Sequence, residues 1–233
     1  MNSTKKAARL AGALYVLNGV TGFFSLMYVP SRLIVSGNAT ATANNILVHE
    51  MLFRVGILSE LFCATEFIFV VMALYRLLNG VNTTHASLMV ILGLVPLPIM
   101  FLNVLNEVAA LTLFCSANFL SVFDKPQRDA LAMLFLDLHG QGFVIFEMLG
   151  GFFFIPFGLL VMRSGFLPRI LGVLLIAACF GYLADSLTTL LVPSYGDLVN
   201  RFARILMGAG ELSIMVWLLI KGAKDQPLAA PAR

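Results

Sequence analysis

Six polar side chains sit deep inside long apolar stretches of this sequence: Asn18, Glu60, Glu107, Glu147, Asp185 and Glu211. An acid at the centre of a membrane helix costs roughly 3 kcal/mol to insert, so each needs a partner, a proton or a watery cavity. Carboxylates gathered in such a place can hold protons, bind a cation or ligate a metal ion. Their sequence neighbours extend the set. Asn103 shares a helical face with Glu107 at i,i+4, and Arg204 shares one with Glu211 at i,i+7. Arg54 and Arg204 enter from the same side and are expected to reach the acids, while His139 marks the mouth of its helix. Five acids against two arginines leave the group short of positive charge. Some acids should then be protonated, or a cation should lie among them.

The elements that must position these groups are membrane helices. About 20 apolar residues cross a bilayer, and six such runs are predicted near 9–29, 52–76, 87–116, 141–162, 168–192 and 203–221. They make an all-α, polytopic membrane bundle over 1–223, with 224–233 read as a disordered tail. Six spans put both ends on one side. Lys and Arg number nine on that side and six on the other, which favours cytoplasmic termini. With that orientation the six polar residues all fall roughly 10–16 Å below the outer boundary by helix rise. Random placement would scatter them through the bilayer.

Composition excludes the soluble classes. The chain has 233 residues, 60% of them hydrophobic and only 12% charged. Its mean hydropathy is +0.94. Globular chains carry about twice that charge. A net charge of +3 with no basic run beyond Lys5 and Lys6 argues against nucleic acid as a partner, which leaves the lipid bilayer and a cation or polar small molecule. Cys63, Cys115 and Cys179 lie in separate apolar segments and form no C-x-x-C pair, so they read as small core residues. No cofactor is indicated, and haem lacks its facing histidines.

Other features are read as structural. The first apolar run follows Lys5, Lys6 and Arg9 but is too long for a signal peptide, and the cleavage-like Ala39-Thr40-Ala41 lies too far beyond it. Gly12, Gly19, Gly22, Gly150, Gly151, Gly208 and Gly210 are expected to allow close helix contact. Pro96, Pro98 and Pro156 should kink the third and fourth spans. The segment 36–45 reads as a loop, and Asp129–Leu138 as an interfacial turn or the start of a long fourth helix. Glu66 lies about 240° around its helix from Glu60 and must find another partner. His49 and His85 read as solvated.

Several strings resemble a bacterial membrane family, domain of unknown function 4386. They are ARLAGALY (8–15), ATANNI (41–46), FRVGILSEL (53–61), ALYRLL (73–78), RSGFLPRILGVLL (163–175) and GYLADSL (181–187). The resemblance covers roughly 8–192 and is weakest at the last helix. It implies a multi-span protein of the bacterial cytoplasmic membrane and carries no catalytic residue with it. Arg54, Glu60 and Asp185 lie inside the matching strings.

Three functions compete at this point. The first is binding or transport of a cation or a polar, cationic small molecule through an acid-rich pocket, with proton coupling as an option. The second is an intramembrane metal-dependent hydrolase using His139 and the carboxylates, although such enzymes usually present more histidines. The third is a structural or assembly protein whose acids serve only as interhelical hydrogen-bond partners. The balance favours a binding protein over an enzyme.

Overall fold

The computed structural model describes residues 3–115 and 118–224. Regular structure among them is entirely helical, and six candidate spans are long and apolar enough to cross a membrane: Thr4–Leu33, Glu50–Leu78, Thr83–Phe114, Lys125–Arg163, Arg169–Leu191 and Leu198–Ile220. The expected all-α, six-span architecture is what the chain adopts. Residues 225–233, which include all but the first residue of the expected tail, lie outside the described residues.

Three spans are interrupted, each beside a proline. In the first, α1 (Ser3–Phe23) widens into a π-helical turn, Phe24–Tyr28, before the short α2 (Val29–Leu33). Pro30 lacks the N–H that would bond one turn back, and the wider turn absorbs the mismatch. The third span breaks at Val95 and Pro96, between α5 (Thr83–Leu94) and α6 (Leu97–Phe114). The fourth joins α7 (Lys125–Gly150) to α8 (Phe154–Arg163) through a 3-10 turn at Gly151–Phe153, one turn ahead of Pro156. These breaks sit where the prolines demand them. The second and fifth spans, α4 (Glu50–Leu78) and α9 (Arg169–Leu191), and the last helix, α10 (Gly196–Ile220), are continuous.

One connection differs from expectation, and another takes one of its two expected forms. Residues 39–48 form α3 (Ala39–Val48) rather than a loop, because Asn38 caps it by accepting from the Ala41 N–H at 2.9 Å. Asp129–Leu138 takes the second of its two expected forms, the start of a long fourth helix: it belongs to α7, which begins sixteen residues before 141. A reciprocal cap fixes that start. Asp124 Oδ1 accepts from the Gln127 N–H at 2.9 Å, and Gln127 Oε1 accepts from the Asp124 N–H at 3.1 Å.

The chain forms two compact units. The first comprises the described parts of Met1–Asn18, Glu66–Leu97 and Val144–Arg233. Its core includes Tyr15, Leu74, Phe153, Phe157, Leu175 and Ile214, all buried. Without a hydrophobic drive between helices in lipid, close backbone approach holds such a unit together. At the α8–α9 crossing a Cβ added to Gly158 would lie 2.6 Å from the Gly172 carbonyl oxygen, so neither position admits a side chain. Gly12, Gly151 and Gly210 are likewise closely covered, whereas Gly150 and Gly208 have nothing within 4 Å and are not contact points.

The second unit comprises Gly19–Thr65 and Pro98–Phe143. Val29, Leu33, Ile46, Phe53, Val104, Phe114 and Leu136 are buried in its core. Ser59 Oγ ties α4 to the first span by donating to the Thr21 carbonyl at 3.1 Å. Large apolar side chains such as Leu102, Leu105 and Phe62 stand more than half exposed, as lipid-facing positions do.

Candidate functional site

The second unit brings three ionisable groups together from three spans. Glu60 lies on α4, Glu107 on α6 and His139 on α7. One ligand atom from each lies within 4.8 Å of the other two. His139 Nε2 is 3.1 Å from Glu60 Oε1 and 3.2 Å from its Oε2. All three are shielded: Glu60 is 1% and Glu107 6% exposed, and the His139 side chain 13%.

The local sequence explains how the three meet. Asn103 and Glu107 are one turn apart on α6 and face α7 together. Asn103 Nδ2 donates to the His139 backbone carbonyl at 2.8 Å, and Asn103 Oδ1 accepts from Asn106 Nδ2 at 3.0 Å. Gly142, one turn beyond His139, leaves the room this amide occupies: an added Cβ would lie 2.1 Å from Asn103 Oδ1. The amide therefore fixes the height of α7 against α6, and with it the position of the imidazole.

The site is polar yet incompletely paired. Glu107 Oε2 is buried and has no hydrogen-bond donor. The unit's cationic side chains are engaged elsewhere. Arg54 pairs with Glu50 at 2.7 Å, Lys125 with Asp129 at 2.7 Å, Arg128 donates to the Phe123 carbonyl at 2.9 Å, and Arg32 lies over the Tyr28 ring at 5.4 Å. Arg54, expected to reach the acids, thus spends its charge one turn away on its own helix.

The first unit holds the other expected residues around a different centre. Both carboxylate oxygens of Glu211 accept from tyrosines, one from Tyr15 Oη at 3.3 Å and the other from Tyr182 Oη. The Tyr182 ring stacks on Phe154, with centroids 5.3 Å apart. Glu147 lies within electrostatic reach of Asp185, Glu211 and Arg204. With its amide oriented to donate, Asn200 Nδ2 reaches Asp185 Oδ1 at 2.7 Å. Asn18 is buried in the same unit. The two tyrosines are the residues that sequence reasoning missed. Their hydroxyls are obligate polar groups in an apolar span, a signal as legible as the acids.

Six apolar spans carrying buried ionisable groups define a multi-pass integral membrane protein. Within that class the chain belongs to the family described as domain of unknown function (DUF4386), which it matches over residues 10–222, including the last helix. No curated protein and no solved structure matches it.

Proposed function

We propose that this membrane protein binds a cation inside its second unit, with Glu60, Glu107 and His139 as the binding groups. The observation that carries the reading is the Glu107 carboxylate: buried, without a donor on Oε2, and beside a second carboxylate and an imidazole. Leaving a buried acceptor unmade costs about 1–3 kcal/mol, and more when it is charged. A cation supplies what the neighbouring side chains do not. Asn103 and Gly142 support the site by fixing His139, and Arg54 screens the nearby surface through Glu50. In the first unit, Glu147, Asp185, Arg204 and Glu211, with Asn18 in the same unit, are a second set of polar groups able to hold protons.

The Lys and Arg distribution favours cytoplasmic termini, and the family resemblance a bacterial cytoplasmic membrane, which would put Glu60, Glu107 and His139 in the outer half of the bilayer. Binding is then the first step of uptake or export. Thermal denaturation of the purified protein in detergent, with sodium, potassium, magnesium, calcium, manganese or zinc chloride added singly, tests the reading. At least one cation should raise the midpoint, and Glu107→Gln should abolish the rise. No response to any cation, or an equal response in the variant, would sink it.

A further inference from the structure

The charge and donor chemistry of the site narrow the ion. Resting on the cation-binding reading, we infer that the ion is a divalent first-row transition metal, of the manganese-to-zinc series, held by both carboxylates and one imidazole nitrogen.

Three observations carry this. The first is charge. Glu60 and Glu107 are buried together, and Arg32, Arg54, Lys125 and Arg128, the cationic side chains of the unit, are occupied elsewhere. Two ionised carboxylates and a neutral imidazole are balanced by a charge of +2. A monovalent ion would leave a net negative charge in a low-dielectric site, which is costly.

The second is donor type. Calcium takes six to eight oxygens, and magnesium prefers oxygens with several retained waters. An imidazole nitrogen at the centre of the cluster wastes a donor on either ion. It suits zinc, iron, nickel and copper, and mixed carboxylate–imidazole sets suit manganese and iron as well.

The third is spacing. Metal–oxygen and metal–nitrogen bonds of about 2.1 Å place adjacent ligand atoms about 3 Å apart. His139 Nε2 and Glu60 Oε1 already stand at 3.1 Å, and the full set lies within 4.8 Å. Asn103, donating to the His139 backbone carbonyl, sets the height of α7 beside α6 and with it where the imidazole stands.

Cobalt(II) reports ligand identity directly, because its visible d–d absorption depends on coordination. Full-length protein in detergent, titrated with cobalt chloride, should develop that absorption to one equivalent and lose it on addition of zinc. A hundredfold excess of magnesium or calcium should leave it in place. Glu107→Gln removes one ligand while relieving a buried charge, so it should fold, and its affinity for cobalt should fall at least tenfold. His139→Asn should change or abolish the spectrum.

The failures separate. Should magnesium or calcium displace cobalt and stabilise the protein equally well, the transition-metal assignment falls while cation binding stands. Stabilisation by sodium or potassium with no cobalt spectrum has the same meaning. A cobalt spectrum untouched in both Glu107→Gln and His139→Asn places the metal elsewhere and overturns the inference. The absence of any response to any cation overturns both readings.

Discussion

Asn103 on α6 donates its side-chain amide to the backbone carbonyl of His139 on α7, at 2.8 Å, and so couples the two helices that carry the site. This bond spans 36 residues of sequence and lies one turn from Glu107. Breaking it should act on the site without touching a ligand atom. Asn103→Ala should destabilise the protein by about 1 kcal/mol, the usual net worth of one hydrogen bond. It should also weaken cation binding, because the height of α7, and with it the imidazole, is no longer set by that bond. Thermal melts and cation titration of the variant beside wild type check the two effects. An unchanged affinity would show that the imidazole is held without the amide.

The facing glycine gives a sharper steric test. A Cβ at Gly142 would fall 2.1 Å from Asn103 Oδ1, closer than any real contact. Gly142→Ala must push the amide away or separate the helices, and overpacking of this kind costs about 1–3 kcal/mol. The double variant Gly142→Ala with Asn103→Ala should be less damaging than the sum of the two, because the methyl then enters the space the amide left. Additive losses in thermal melts would mean that the two residues do not share that space.

Much of this arrangement is legible in the sequence, and the rest has identifiable causes. Six spans follow from hydrophobic runs, and their interruptions from Pro30, Pro96 and Pro156, since a missing N–H acts locally. Glu60, Glu107 and His139 stand out because ionisable groups are rare in apolar helices. Their meeting does not follow from depth alone: it needs the early start of α7, set by Asp124 and Gln127. The sequence offers a long fourth helix as one of two readings, and the D-x-x-Q of Asp124 and Gln127 is the signal that selects it. Arg54 turns to Glu50 instead of the site because that nearer acid lies one turn away on the same helix and wins by proximity. The tyrosines around Glu211 stand out less in the sequence than the acids do, because an aromatic ring reads as bulk until its hydroxyl is counted.

Those tyrosines make a prediction of their own. Glu211 is held by Tyr15 and Tyr182, and hydrogen bonds to a charged group contribute about 1.5–3 kcal/mol. Tyr182→Phe should therefore cost on that order, because it removes a donor and leaves the carboxylate oxygen unpaired. In a Glu211→Leu background the same substitution should cost far less, since the acceptor is gone. A thermodynamic cycle over the four proteins reads the coupling. Near-zero coupling would show that the hydroxyl finds its worth elsewhere.

The glycines on the helices of the first unit separate packing from backbone entropy. At Gly12 on α1 an added Cβ would meet the Leu219 backbone nitrogen on α10 at 2.4 Å, and backbone cannot swing aside as a side chain can. Gly208 on α10 has nothing within 4 Å of its added Cβ. Alanine is preferred over glycine inside a helix by about 0.5–1 kcal/mol, mainly because the unfolded chain loses freedom. Gly208→Ala should thus be neutral or stabilising by up to that amount. Gly12→Ala should instead destabilise, by about 1–3 kcal/mol, as α1 is forced from α10. Denaturation midpoints of the two variants in one detergent decide it. If Gly12→Ala melts at or above wild type, the close passage of α1 over Leu219 is not what holds the first unit together.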